Sequence, residues 1–135
     1  TAEWPRFVAG RMGTPNRMLS MSDDVDHPAA RAISYDQLLE AYTEQAAALI
    51  EGGVDLLLIE TCFDTLNAKC AVDAARRAMD NSGREVPVMV SVTFSDNSGR
   101  TLSGQNLDAF MTSMEPLGLW AIGMNCGMGA RQLMP

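Results

Sequence analysis

The chain is short of several things, and each shortage excludes something. It has one histidine, His27, which stands before Pro28 and reads as a surface turn residue, so no Cys–His nucleophilic pair is available near Cys126. Its three cysteines, Cys62, Cys70 and Cys126, are odd in number and lack disulfide-like spacing, which fits a reducing cytoplasm better than secretion. No stretch approaches the roughly 18 uninterrupted apolar residues of a membrane span. Cations are scarce: 10 Lys and Arg stand against 17 Asp and Glu, for a net charge of −7. Arg76-Arg77 is the one close basic pair, which argues against a nucleic-acid surface. What is present is ordinary globular composition, 47% hydrophobic and 20% charged over 135 residues, which rules out a disordered tail. The ten methionines read as flexible core filler, a substrate-facing role for Met124 and Met128 being the alternative.

Apolar patterning divides the chain into alternating strands and helices. Trp4 to Gly10 reads as a short buried strand that breaks at glycine, followed by an irregular turn through Gly13, Pro15 and Asn16. The long loop from Met18 to Ile33 carries Asp23, Asp24 and Asp26, a solvated acidic face without the Asp-x-Asp-x-Asp-Gly order of a calcium loop. Ser34 and Gln37 form a capping box. The helix they open has an apolar stripe at Leu38, Leu39, Tyr42, Ala46, Leu49 and Ile50, and Gly52-Gly53 stops it. Val54 to Ile59 is a near-continuous apolar run, as in a parallel strand covered on both faces. Asp64 is a plausible N-cap for a second helix lined by Leu66, Cys70, Ala74 and Ala78 and ended by Asn81-Ser82-Gly83. Val86 to Val92 is a third strand, Phe94 to Gln105 a polar loop, and a shorter helix turns Leu107, Phe110, Met111 and Met114 inward. Leu119 to Met124 is the fourth strand, running into Asn125-Cys126-Gly127.

This consecutive alternation implies a parallel sheet with right-handed crossovers. The strand-end residues Glu60, Thr93 and Asn125 recur about every 32 residues, near the length of a βαβ unit. A (β/α)8 TIM barrel needs about 250 residues. The expectation is therefore a partial barrel of about four parallel βα units, a single partial domain over residues 1–135 truncated at both ends. A small closed α/β sheet is the competing architecture.

In a barrel the carboxyl ends of the strands converge on one pocket. Glu60, after four apolar residues, suits either an acceptor for a substrate ammonium (or a general base) or a cap for the neighbouring helix. Asn125 can serve loop backbone groups or a substrate carboxylate. Cys126, beyond a strand and among glycines, has the setting of a ligand or nucleophile. Cys62 also lies at a strand end and is placed to approach it, whereas Cys70 reads as core. One thiolate does not make a zinc site, which takes three protein ligands even when catalytic.

Several stretches together resemble a known family. They are Asn16-Arg17, Tyr42-x-Glu44-Gln45, Gly53 to Thr61, Phe63-Asp64-Thr65-Leu66-Asn67-Ala68-Lys69, Ser98-Gly99-Arg100-Thr101-Leu102-Ser103-Gly104-Gln105 and Gly123-Met124-Asn125-Cys126. Over essentially the whole chain they are similar to the homocysteine-binding (S-methyltransferase) barrel of cobalamin-dependent methionine synthases. The resemblance implies a (β/α)8 barrel in which three cysteine thiolates hold zinc, with Cys126 the first of them. Homocysteine binds the zinc as thiolate and takes a methyl group from methylcobalamin on another domain, regenerated by 5-methyltetrahydrofolate. Glu60 and Asn125 would hold the amino-acid end of homocysteine, with Thr93 and Ser103 near the pocket. The folate- and cobalamin-binding domains of a longer chain would be the partners.

Two departures qualify that match. The family's other two ligands, an adjacent Cys-Cys pair, are not in this sequence, so the segment alone is expected to lack zinc and activity. The family's Gly-Pro-Thr-Asn-Arg stands here as Gly13-Thr14-Pro15-Asn16-Arg17, which moves the residue whose φ proline locks. The alternatives are a betaine- or S-methylmethionine-dependent homocysteine methyltransferase of the same barrel class, and a non-catalytic α/β binding module in which Cys126 is only structural.

Overall fold

A computed structural model describes residues 3–94 and 98–132. The polar loop expected from Phe94 to Gln105 is thus seen in part, positions 95–97 lying outside the described residues. Four strands, β1 (Ala9–Met12), β2 (Leu56–Cys62), β3 (Val88–Val92) and β4 (Ala121–Met124), form one sheet in the order β1-β2-β3-β4. Every neighbouring pair is parallel. Between them run α1 (Tyr35–Glu51), α2 (Thr65–Ser82) and α3 (Leu107–Met114), the last continued by one 3₁₀ turn, Glu115–Leu117. Sequential strand order with a helix in every crossover is the arrangement of successive barrel units, here three βα units and a fourth strand.

Local chemistry sets the helix bounds. The Ser34 side chain accepts from the Gln37 N–H, and the Gln37 side chain accepts from the Ser34 N–H, so the capping box is complete. Asp64 caps α2 and Asn106 caps α3. The α1 carboxyl end has a partner the sequence pattern did not disclose. Arg84, in the α2–β3 connection, donates from its guanidinium to Ile50 O (2.7 Å) and Val54 O (2.6 Å). That places a cation where the helix dipole favours one.

The core lies between the sheet and the helices. Leu57, Ile59, Val90 and Val92 point to the helix side and are buried there with Leu38, Tyr42, Ala46, Ile50 and Phe110. Burying each of the large aliphatic side chains contributes about 1.5–3 kcal/mol. Helix α2 meets this layer through Ala68, Ala71, Ala74, Ala75 and Ala78, small residues that allow close approach. Gly10 does the same on β1, where an added Cβ would stand 2.8 Å from Val54 Cγ1.

Several expectations are corrected at this level. The first strand starts at Ala9 and continues through Gly10 to Met12 rather than breaking there. Trp4, Phe7 and Val8 precede it and are 68%, 73% and 59% exposed, so hydrophobicity alone misplaced the strand. Leu66 and Met111 are also more exposed than a core stripe requires. In α3 it is Phe110 and Met114 that are buried.

Candidate active site

Glu60, Thr61, Thr93, Asn125 and Cys126 all lie at the carboxyl end of the sheet, where β2, β3 and β4 finish. Their arrangement depends on a β-bulge. Ile59 pairs with Val90, but the next pair is Cys62 with Val92, three residues on β2 against two on β3. The extra residue bends the strand and leaves one position unpaired. Thr61 takes φ 65°, a conformation that a β-branched side chain rarely adopts. It is held there from outside the strand: the Thr14 hydroxyl shares its one proton between Glu60 O (2.8 Å) and Thr61 O. The exchange of Thr and Pro in the first turn therefore has a structural use, since a proline at position 14 has no hydroxyl to give.

The bulge decides which thiols are available. Cys62 is carried to the helix side of the sheet, where it is buried. Burial pushes its thiol up to about 12, helped by the nearby Asp64 charge. Cys70 is also buried, with Sγ 3.7 Å from Tyr35 O, and burial followed by the Asp73 charge raises it to about 12. Cys126 alone is exposed. The approach of Cys62 to Cys126 expected from the sequence does not occur.

Cys126 is fixed by its neighbour. The Asn125 Oδ1 accepts from Ser91 Oγ (2.6 Å) and Thr93 Oγ1 (3.3 Å), and its Nδ2 donates to Thr61 Oγ1 (2.8 Å) and Cys126 Sγ (3.1 Å). Both lone pairs and both amide protons are thus engaged. Thr93 Oγ1 shares its one proton between that Oδ1 and the closer Asn125 O at 2.9 Å. One carboxamide thereby ties the ends of three strands to the thiol. Cys126 itself has φ 56°, and Gly127 follows at φ 65°, so two left-handed residues in succession turn the chain out of β4.

The other site residues sit on the same rim. Glu60 is half-buried and paired with Arg11 of β1, a partner the sequence did not suggest because it lies 49 residues away. Ser103 donates from Oγ to Phe63 O (3.0 Å) and from its backbone N–H to the same carbonyl (3.2 Å), and Thr65 donates to Gln105 Oε1. The 98–105 loop is in this way pinned to the β2–α2 turn. His27 and Asp24 pair with each other on the exposed loop, well separated in role from this cluster.

Among the described residues no three His, Cys, Asp or Glu side chains come together as a metal site. Cys126 fits one corner of a thiolate site. Cys62 and Cys70, on the helix side of the sheet, cannot supply the others.

The homocysteine S-methyltransferase family model matches residues 1–135. The chain belongs to that family. A homocysteine S-methyltransferase domain has homocysteine methylation as its role, and the exposed Cys126 thiol lies where such a domain of barrel type keeps its chemistry. No helix among the described residues is long and apolar enough to cross a membrane.

Two consequences for this homocysteine S-methyltransferase domain follow from the burial of its thiols. In the native state one thiol per chain, Cys126, reacts rapidly with a disulfide reagent at pH 8, and all three react in guanidinium; two fast thiols in the native state would contradict the geometry. Stability also depends on alkaline pH. Cys62 and Cys70 titrate near 9 when unfolded and near 12 when folded, so below about pH 9 their contribution is complete. From about pH 9 towards 12 the unfolded chain releases protons that the folded chain keeps, and stability falls. Urea midpoints measured across that range, in wild type and in Cys62→Ala/Cys70→Ala, check the sign: the double variant should lose less.

Proposed function

We propose that this domain is the homocysteine-binding part of a cobalamin-dependent methionine synthase, with Cys126 a ligand of a zinc ion completed by thiolates from outside these 135 residues. The observation that carries the reading is Cys126 Sγ, exposed at the carboxyl end of β4 and held at 3.1 Å by the Asn125 amide. Zinc bound at such a site keeps a substrate thiol ionised at neutral pH, which makes it a nucleophile. The domain's own residues bind and orient: Glu60 receives the homocysteine ammonium, while Asn125 and Thr93 position the thiol turn and the substrate beside it. Ser103 borders the pocket through the loop it pins. The methylcobalamin context rests on the two stretches Phe63–Lys69 and Ser98–Gln105. They meet in space through Ser103, Phe63, Thr65 and Gln105, which supports reading them as one unit.

The test uses the complete polypeptide that contains this segment. Cys126→Ser should cut bound zinc well below one equivalent and abolish methyl transfer to homocysteine, with the melting temperature nearly unchanged. Methyltetrahydrofolate with cobalamin should support turnover in the wild type. Turnover with betaine or S-methylmethionine instead would assign the donor to those relatives. Unchanged zinc and homocysteine binding in Cys126→Ser would make Cys126 structural and overturn the proposal.

A further inference from the structure

Resting on the homocysteine reading above, we propose that Arg11 is a specificity-determining residue that receives the substrate's α-carboxylate while Glu60 receives its α-ammonium. Arg11 and Glu60 lie on the sheet face opposite the helices. In the β1–β2 register Arg11 is level with Leu58, so Glu60 stands two residues further towards the carboxyl end. The Arg11 guanidinium reaches along the strands to it, Nε donating to Glu60 Oε2. That bond uses one of five guanidinium N–H groups. The Arg11 side chain is 59% exposed, which leaves the Nη edge open, and among the described residues the second Glu60 oxygen has no partner.

The pair is therefore a fixed dipole with a free donor edge and a free acceptor oxygen side by side. An α-amino acid presents the complementary dipole, an ammonium and a carboxylate on one carbon. Planar carboxylate recognition is what a guanidinium edge does best. The two binding elements also sit on the correct rim. From β2 the path runs through Thr61 and the Asn125 amide to Cys126 just beyond β4, two strand spacings or about 10 Å away. The amino-acid end is thus anchored at β1–β2, and the sulfur end points along the rim towards Cys126. A merely structural role for Arg11, tying β1 to β2, would give an exposed ion pair of little consequence for ligand choice.

The experiment compares L-homocysteine with 3-aminopropane-1-thiol, the same chain without its carboxylate, as methyl acceptors for the complete enzyme. In the wild type KM for the amine should exceed that for L-homocysteine by about 10–100-fold, the loss expected for one hydrogen bond to a charged group. Arg11→Met should raise KM for L-homocysteine by a similar factor, move KM for the amine less than about threefold, and change kcat little. Arg11→Lys, which keeps the charge without the fork, should fall between them, and it serves as the second variant if Arg11→Met folds poorly. Variants that keep the wild-type discrimination, or a wild type that shows none, would overturn the assignment of Arg11 while leaving homocysteine methylation intact. A wild type that methylates no homocysteine at all would remove the underlying reading and this one together.

Discussion

Gly127→Ala is expected to be among the most damaging single substitutions in the domain. A Cβ at position 127 would stand 1.9 Å from Phe94 O and 3.1 Å from Phe94 C, backbone atoms that cannot swing aside as a side-chain tip can. The residue also holds φ +65°, which itself costs an L-residue about 1–2 kcal/mol. Relief requires moving the 126–127 turn away from the β3 end, and that breaks the Asn125–Thr93 bonds that position the thiol. The total is about 2–4 kcal/mol, or a drop in melting temperature of about 10 °C. Gly129→Ala, two residues on, provides the control, since its Cβ would meet only Gln132 Oε1 at 3.5 Å with no positive φ. Calorimetry of the two variants decides the matter. Equal melting temperatures would show that the turn is not held against Phe94.

The second large effect concerns Asp64. Its carboxylate is 1% exposed and accepts four hydrogen bonds: from Leu66 N (2.8 Å), Asn67 N (3.3 Å), Ser20 N (2.9 Å) and Ser20 Oγ (2.8 Å). Two of these cap α2; the other two strap the loop after β1 onto it. Asn67 continues the strap, accepting from Leu19 N and donating to Arg17 O. Asp64→Ala removes the cap and strands buried donors, so about 3–5 kcal/mol of stability should go. Asp64→Asn restores one oxygen but sets an amide N–H₂ against a donor, and should recover only part. Ser20→Ala isolates the strap and should cost about 1 kcal/mol. Denaturant titration gives the magnitudes. Hydrogen exchange should locate the loss at residues 17–20 and the first turn of α2; exchange faster throughout the sheet instead would mean that Asp64 supports more than the strap.

Much of this architecture was legible in the sequence because short-range rules set it. The capping box at Ser34–Gln37, the Asp64 cap, the Gly52-Gly53 stop and the apolar run before Glu60 depend on neighbours within four residues, and the four-strand parallel alternation follows from them. The candidate site was legible to the extent that it uses strand ends. Glu60, Thr93 and Asn125 do share one rim. What escaped depends on distant partners or broken periodicity. Arg11 meets Glu60 across 49 residues, and Arg84 meets the end of α1 across at least 30. Cys62 was misplaced because a regular two-residue alternation from Leu58 and Glu60 puts it with them. Nothing local in Glu60-Thr61-Cys62 announces the bulge, which Thr14 steadies from the turn after β1.

That bulge has a genetic consequence. Deletion of the Thr61 codon would take out its surplus residue and give β2 regular alternation, leaving Cys62 level with Val92 in the oily layer and Phe63 and the Asp64 cap in step with α2. What it would remove is the Thr61 hydroxyl that accepts from the Asn125 amide. The chain downstream tolerates this loss in length; the tether of the thiol turn does not.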